Sequence, residues 1–263
     1  MLFLGFMHDR GLGVPQCSEK AARWYRHSAE EGNRIAQMNI GSMYLQGEGV
    51  PQSMKEAARW YRMAADQGDD DARMDLALLY EHGAGVPQSY EEAVRLYEQV
   101  ARKDNPEAQL KLGICYLRGV GVEQSPDMAV RWLLPSARKG NAEAQFRMGI
   151  LSLQGQGTQQ SPTDAARWFE KAAEQKHAGA QYNLGLMNEH GMGIPRSCSN
   201  AARWYSLAAE QGVDEALFRL GVLYENGEGV ERSLDIARRL YEIAAENGNE
   251  MAKEALKRFS DEP

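Results

Sequence analysis

One pair of residues in this 263-residue chain has the spacing of a known reaction centre. Ser136 and Lys139 stand three residues apart, as a serine nucleophile and its activating lysine do in acyl-transfer enzymes. The pair closes a predicted helix, however, and neither a Ser-Asp-Asn nor a Lys-Thr-Gly sequence accompanies it. The pattern alone therefore does not predict acyl transfer.

Cysteine and histidine could supply thiol or metal chemistry. None of the cysteines Cys17, Cys115 and Cys198 has a second cysteine in its own repeat, which predicts no disulfide framework and favours a reducing compartment. His82 and His190 are 108 residues apart, which is three lengths of the repeat described next. Stacked helices stand about 10 Å apart, whereas zinc needs ligands at about 2 Å. We therefore predict no metal site and no cofactor.

A fixed period organises the whole chain. Tryptophan recurs at intervals of 36 or 72 residues, at Trp24, Trp60, Trp132, Trp168 and Trp204, with Leu96 and Leu240 in the two remaining positions. Glycine follows the same step at Gly41, Gly113, Gly149, Gly185 and Gly221. Such a period is the signature of a solenoid. We predict one all-α solenoid domain over residues 1–263, with about seven repeats and a truncated first one.

Each repeat reads as two helices, here called helix A and helix B. Helix A begins at an N-cap such as Asn33 and ends at a Gly-x-Gly such as Gly47–Gly49, while helix B begins at a serine such as Ser53. Apolar residues recur at helical spacing on one face of each helix. The ring of Trp60 is predicted to fill the gap beside the small residues Ala36, Gly41, Ala57 and Ala65. Pro135 lies inside the helix predicted over 125–139, where we expect a kink.

The repeated residues resemble a known family. The pattern reads Ala36, Ile40-Gly41, Tyr44, Gly47 and Gly49-Val50, then Ala57, Trp60-Tyr61, Ala64-Ala65 and Gly68, and it is similar to the Sel-one-like repeat (SLR) of the tetratricopeptide superfamily. The resemblance covers essentially the whole chain. It implies a right-handed α/α superhelix that serves as a non-catalytic bacterial scaffold or adaptor and binds another protein or a peptide.

Two alternatives follow from the same resemblance. Some bacterial relatives are similar to immunity proteins that hold a secreted effector inactive. Cysteine-rich relatives have been described as weak β-lactam hydrolases, and those carry a cysteine pair in each repeat. This chain has no such pair, which speaks against the hydrolase.

The concave wall implied by the resemblance is lined by helix A. Its floor positions are Met38, Met74, Leu110, Phe146, Tyr182 and Phe218, followed along the helices by Ile114, Ile150, Leu186 and Val222. These residues either pack helix A against the next helix A or form a groove for an apolar or basic segment. Acidic residues at Asp71, Glu107, Glu143 and Glu215 border the row. A phosphate-backbone partner is disfavoured by the net charge of −7.

The predicted outer surface carries a regularly repeated arginine. Arginine precedes the aromatic position in all seven repeats, and four of these arginines follow an acid by four residues, which predicts i, i+4 pairs or a cationic ladder.

The helix predicted over 249–259 has the pattern of a C-terminal cap, whereas the N-terminal helix lacks its first turn, as in a fragment or a covered end. No apolar run is long enough to span a membrane and no signal peptide is evident, which favours the cytoplasm. A periplasmic location stays open if the chain is a piece of a longer protein.

Overall fold

The computed structural model describes residues 1–260, with side chains to residue 258, and these residues form helices and turns but no β-strand. The chain divides into two compact units, Met1–Ser125 and Pro126–Pro263, here unit 1 and unit 2. Unit 1 contains α1 (Leu2–Arg10), α2 (Ser18–Glu30), α3 (Arg34–Gln46), α4 (Met54–Asp66), α5 (Asp70–His82), α6 (Tyr90–Ala101) and α7 (Pro106–Arg118). Unit 2 contains α8 (Pro126–Arg138), α9 (Ala142–Gln154), α10 (Pro162–Glu174), α11 (Ala178–His190), α12 (Cys198–Ala209), α13 (Asp214–Asn226), α14 (Leu234–Glu246) and α15 (Glu250–Ser260). Odd-numbered helices are A helices and even-numbered helices are B helices.

Within each unit, every helix packs against its neighbours in the chain. This arrangement, built from near-identical helical hairpins, confirms the predicted all-α solenoid of helix-turn-helix repeats. A single domain over the full length stays a prediction, and residues 261–263 lie outside the described part of the chain.

The predicted caps fix the ends of the helices. The Asn33 side chain accepts a hydrogen bond from the backbone N–H of Ala36 at 2.9 Å, and the Ser53 hydroxyl accepts one from Glu56 at 3.3 Å. Gly47 ends α3 in the left-handed conformation with φ of 76°. Pro135 lies inside α8, which continues past it to Arg138.

A tight contact between the two helices of a hairpin explains the periodic glycine. A Cβ atom at Gly41 would lie 2.7 Å from the ring of Tyr61, closer than real Cβ contacts come. The ring against Gly41 is therefore that of Tyr61, so the prediction that Trp60 fills the gap beside the small residues is wrong at Gly41, although Trp60 lies in the same core cluster as Ala36. Both side chains are buried, but they leave the helix in directions about 100° apart because they are consecutive in the sequence.

Buried glutamines connect successive hairpins inside each unit. Gln37, only 1% exposed, donates to the carbonyl of Ala29 at 3.1 Å and accepts from Gln67 at 2.7 Å. The pairs Gln145–Gln175 and Gln181–Gln211 repeat the side-chain bond in unit 2. A buried amide held on both its oxygen and its nitrogen avoids the cost of an unmade hydrogen bond.

The last described helix, α15, begins at the N-cap Asn249, whose side chain accepts from Ala252 at 3.0 Å. Ala252 and Ala255 are buried, as a capping helix needs, but Met251 is 51% exposed and does not belong to the buried face. The side chain of Phe259, the last residue of the predicted cap helix over 249–259, lies outside the described part of the chain. Within residues 1–260, no helix combines the length and the apolarity that a membrane crossing requires.

Candidate functional site: a row of partly exposed residues on helix A

The predicted floor residues fall into two sets, one in each unit. Unit 1 contains Met38, Met74, Leu110 and Ile114, and unit 2 contains Phe146, Ile150, Tyr182, Leu186, Phe218 and Val222. We call the six residues of unit 2 the floor row. All ten positions are partly exposed except Leu110, which is only 6% exposed. The other nine are thus neither core residues nor freely solvated ones.

The aromatic members of the floor row rest on buried rings. The ring centroids of Phe146 and Phe169 are 5.9 Å apart, those of Tyr182 and Tyr205 are 5.9 Å apart, and those of Phe218 and Tyr241 are 5.6 Å apart. The lower ring of each pair is fully buried. Since tilted pairs at this distance are favourable, the buried layer fixes the orientation of the exposed layer.

Phe146 is also held from the side. Its ring stacks on the imidazole of His177 with centroids 4.5 Å apart, and a Cβ atom at Gly179 would lie 3.2 Å from it. His177 caps α11 by accepting from the N–H of Ala180, while its Nε2 lies 3.0 Å from the carboxylate of Glu143. Because a capping nitrogen must be an acceptor, the ring carries its proton on Nε2 and donates it to Glu143.

Carboxylates occur one helical turn beyond the floor row and bind the buried tyrosines. Glu189 accepts from the Tyr205 hydroxyl at 2.5 Å and Glu225 from the Tyr241 hydroxyl at 2.6 Å. In the hairpin of α9 and α10 the equivalent residues are Leu153 and Phe169, which pack together without either polar group. The sequence analysis did not predict these tyrosine–carboxylate pairs. They could have been recognised, because the two positions change together, from glutamate and tyrosine in these two repeats to leucine and phenylalanine in the hairpin of α9 and α10.

Removing the Tyr205 hydroxyl tests this pairing. Tyr205→Phe leaves the largely buried Glu189 carboxylate with Arg219 at 3.5 Å and His190 at 3.9 Å, and should lower the unfolding free energy by about 1.5–3 kcal/mol. Phe169→Tyr is the matched variant, because its new hydroxyl would face Leu153 and should also destabilise. Urea denaturation measures both. An unchanged midpoint in Tyr205→Phe would show that the hydrogen bond contributes nothing.

One carboxyl group in unit 1 has an unusual pKa. It belongs to Asp75, which follows the floor position Met74 on the A helix α5. Asp75 occupies the position of Asn39 and Asn183. Burial, together with the nearby charge of Asp71, raises the pKa of Asp75 to about 6, while a hydrogen bond from Tyr61 opposes the rise. The ionised form is therefore less favourable in the folded protein than in the unfolded chain, although it still predominates at pH 7.

The raised pKa of Asp75 makes the stability of the fold depend on pH. A carboxyl with a pKa of about 6 in the folded state and about 3.9 in the unfolded state binds more protons when folded between these values. Stability should therefore fall as pH rises from about 4 to 6, and Asp75→Asn should remove this contribution. We expect Asp75→Asn to be more stable than the wild type at pH 8 and equal to it near pH 4. A wild-type advantage at pH 8 in chemical denaturation would contradict the raised pKa.

The arginines that precede the aromatic position are exposed in all seven repeats. Arg59, Arg95 and Arg167 pair with acids three residues earlier, at 3.2, 2.8 and 3.2 Å, so the expected i, i+4 partner was wrong for Arg95. The guanidinium carbons of Arg59 and Arg203 lie 5.1 and 5.3 Å from the ring centroids of the following tryptophans. Ion pairs and ring contacts thus occupy much of this surface.

The other candidates for chemistry do not converge. Ser136 is fully buried, so the Ser-x-x-Lys pattern presents no accessible nucleophile. Cys17, Cys115 and Cys198 are free thiols, and burial raises the pKa of Cys115 to about 11. No three His, Cys, Asp or Glu side chains come together as metal ligands anywhere in the described residues.

Comparison with known proteins identifies the repeat. The sequence model of the family described as Sel1 repeat matches residues 1–33, 34–69, 70–105, 106–141, 142–177, 178–213 and 214–249. The chain belongs to the Sel1 repeat family. Sel1 repeat proteins are generally non-catalytic scaffolds for protein–protein interaction.

Solved Sel1 repeat structures share the fold. The structure of c5321, a protective antigen present in uropathogenic Escherichia coli strains, matches at 33% identity and a TM-score of 0.93 over 98% of this chain. The chain spans 56% of the length of c5321. A Sel1 repeat protein from Oxalobacter formigenes matches at 32% identity and a TM-score of 0.81, over 98% of this chain and 75% of that protein.

More distant similarity carries no functional argument. The immunity protein Pa5087 from Pseudomonas aeruginosa matches at 20% identity and a TM-score of 0.45, over 81% of each chain. No match was found among curated proteins.

Proposed function

We propose that this Sel1 repeat chain is a non-catalytic scaffold that binds a protein or peptide segment along the floor row of unit 2. The observation that carries the proposal is the two-layer arrangement of rings. Phe146, Tyr182 and Phe218 are partly exposed, and each rests on a fully buried aromatic residue. Such anchored aromatic side chains are the typical centres of binding energy at interfaces.

The anchoring reduces the cost of binding. A side chain that must be ordered at an interface costs about 0.5–1.5 kcal/mol. The rings of Phe146 and Phe218 are already held by their buried partners, and Phe146 is held by His177 as well. A partner that covers them therefore gains apolar contact without first having to order the surface.

The charges beside the row indicate the chemistry of the partner. The exposed Glu215 lies three residues before Phe218 on α13, and the described residues include no ion pair for Glu215. The Glu143 carboxylate, by contrast, is already shared between His177 and Arg147. A segment that carries aliphatic or aromatic side chains together with a lysine or arginine complements the Phe218 end of the row.

Selection from a random peptide library displayed on phage tests the proposal. Peptides that bind the intact chain should be enriched in apolar residues with one or more basic residues. Chemical-shift changes on adding a selected synthetic peptide should centre on Tyr182 and Phe218. Selected peptides whose shifts centre instead on the exposed arginines that precede the tryptophans would contradict the proposed site.

A further inference from the structure

A second kind of site lies in unit 1. We propose that the cavity between α4, α5 and α6 binds a small oxyanion, a phosphate or a carboxylate, on the guanidinium groups of Arg62, Arg73 and Arg95. The cavity has a volume of about 220 Å³, and all three side chains line it. This inference does not depend on the proposed scaffold function.

The cavity exists because two repeated residues are replaced in this one hairpin. Leu96 stands where five repeats have tryptophan, and it lines the cavity. One repeat earlier, Trp60 occupies the equivalent position and is only 3% exposed, so its larger ring fills the space. Leu240 is the other replacement, but the positions equivalent to Arg62 and Arg73 there hold Ser206 and Leu217.

The second replacement, arginine for glutamine at Arg73, puts a charged side chain where other repeats have a neutral amide. Arg73 stands where Gln37, Gln109, Gln145 and Gln181 occur in other repeats, and Lys103 stands where Gln67 occurs. The two cations share the carboxylate of Asp70, which lies 2.8 Å from the Arg73 guanidinium and 2.8 Å from the Lys103 ammonium. One carboxylate thus serves two cations.

The side chains that line the cavity carry a net positive charge, although Asp70 and Glu92, which are not lining residues, pair with Arg73 and Arg95. Three arginines face it, with Asp66 as the acidic lining residue. Arg95 pairs with Glu92 at 2.8 Å, but Arg62 has no carboxylate partner among the residues that the structure describes. Arg62 instead donates to the hydroxyl oxygen of Tyr80 at 2.7 Å. The Tyr80 hydroxyl accepts this bond and keeps its own hydrogen available to donate to an anion.

The shape and charge together define the ligand class. Guanidinium groups present planar pairs of N–H donors that match carboxylate and phosphate oxygens, and they stay charged at all relevant pH values. A volume of about 220 Å³ is below the range of about 300–1,000 Å³ that is usual for larger organic ligands. The cavity suits a free oxyanion or a single anionic side chain in a protein whose net charge is −7.

Titration of the intact chain with inorganic phosphate, and separately with acetate, tests the proposal. Ionic strength is held constant with sodium chloride, and the ¹⁵N signals of the arginine side chains are followed by NMR. We expect saturable shifts confined to Arg62, Arg73 and Arg95. Saturation by phosphate alone would identify a phosphoryl ligand, and saturation by both would extend the site to carboxylates.

Two variants restore the residues of the other repeats. Leu96→Trp fills the cavity and Arg73→Gln removes one cation, and each should weaken binding by about tenfold or more. Arg167→Gln, a change of an exposed arginine in unit 2, is the matched control and should leave binding unchanged. If Leu96→Trp does not fold by circular dichroism, Arg73→Gln and Arg62→Gln decide. The proposal fails if neither anion saturates, or if the folded variants bind as tightly as the wild type.

Discussion

Gly193→Ala is expected to lower the unfolding free energy by at least about 3 kcal/mol, which is among the largest effects of any single substitution. Gly193 has a φ of 70°, where a non-glycine residue is strained by about 1–2 kcal/mol. A Cβ atom there would also lie 2.4 Å from the carbonyl carbon of Pro162, which is backbone and has no rotamer by which to move away. The two effects add.

Gly212→Ala separates the two contributions. Gly212 has a φ of 83°, but a Cβ atom there would meet nothing within 4 Å. It should therefore show the conformational cost alone, about 1–2 kcal/mol. Urea denaturation compares the variants, and hydrogen exchange localises any opening to α10 and α12, because repeat proteins open in segments. Equal midpoints in the two alanine variants would contradict the close contact between the Gly193 turn and the first turn of α10.

Tyr205→Ala should cost about 3–5 kcal/mol of unfolding free energy, whereas Tyr182→Ala should cost less than about 2 kcal/mol. The two tyrosines have the same size and their ring centroids lie 5.9 Å apart, yet Tyr205 is fully buried and Tyr182 is partly exposed. Truncation of Tyr205 opens a cavity against Gly185, because a Cβ atom at Gly185 would lie only 2.5 Å from the Tyr205 ring. Truncation of Tyr182 leaves a space that solvent can enter.

Urea denaturation of the two tyrosine variants, with Tyr205→Phe beside them, gives the comparison. The ranking distinguishes a core layer from a surface layer. If Tyr182→Ala lowers the midpoint as far as Tyr205→Ala does, the floor row packs hairpins together and does not form a preorganised surface.

The architecture of this chain could be predicted from its sequence because the evidence for each element is repeated. Asn33 and Ser53 recur as caps at a constant spacing, and the structure shows both accepting the expected backbone hydrogen bond. A cap seen once is a weak signal, but the same cap at the same interval leaves little freedom in where each helix begins. The constant period then dictates how each hairpin packs on the next.

Side-chain contacts were less predictable because they depend on directions that a period does not contain. Trp60 and Tyr61 are consecutive and both buried, so helical spacing alone could not decide which ring lies on Gly41. The i, i+4 spacing predicts Glu91 as the partner of Arg95, whereas Glu92 makes the contact at 2.8 Å. Both spacings are sterically possible on a helix. The rotamers of the two side chains make this choice.

The candidate floor row was predicted as a set of positions but not as a surface. Periodicity placed Phe146, Tyr182 and Phe218 in one register, yet their exposure depends on how closely the A helices approach. The cavity beside Leu96 was missed for a different reason. Its signal was the coincidence of two departures from the repeat, Leu96 for tryptophan and Arg73 for glutamine, and each alone looks like ordinary variation.

Titration of a library-selected peptide against floor-row variants tests the central claim most directly. Phe218→Ala and Tyr182→Ala should each weaken binding by more than about 1 kcal/mol, roughly fivefold in Kd, while keeping most of the stability of the wild type. Arg167→Ala, on the exposed surface of α10, should bind the peptide with wild-type affinity. Wild-type affinity in both floor-row variants, with denaturation midpoints lowered as far as in Tyr205→Ala, would contradict the account.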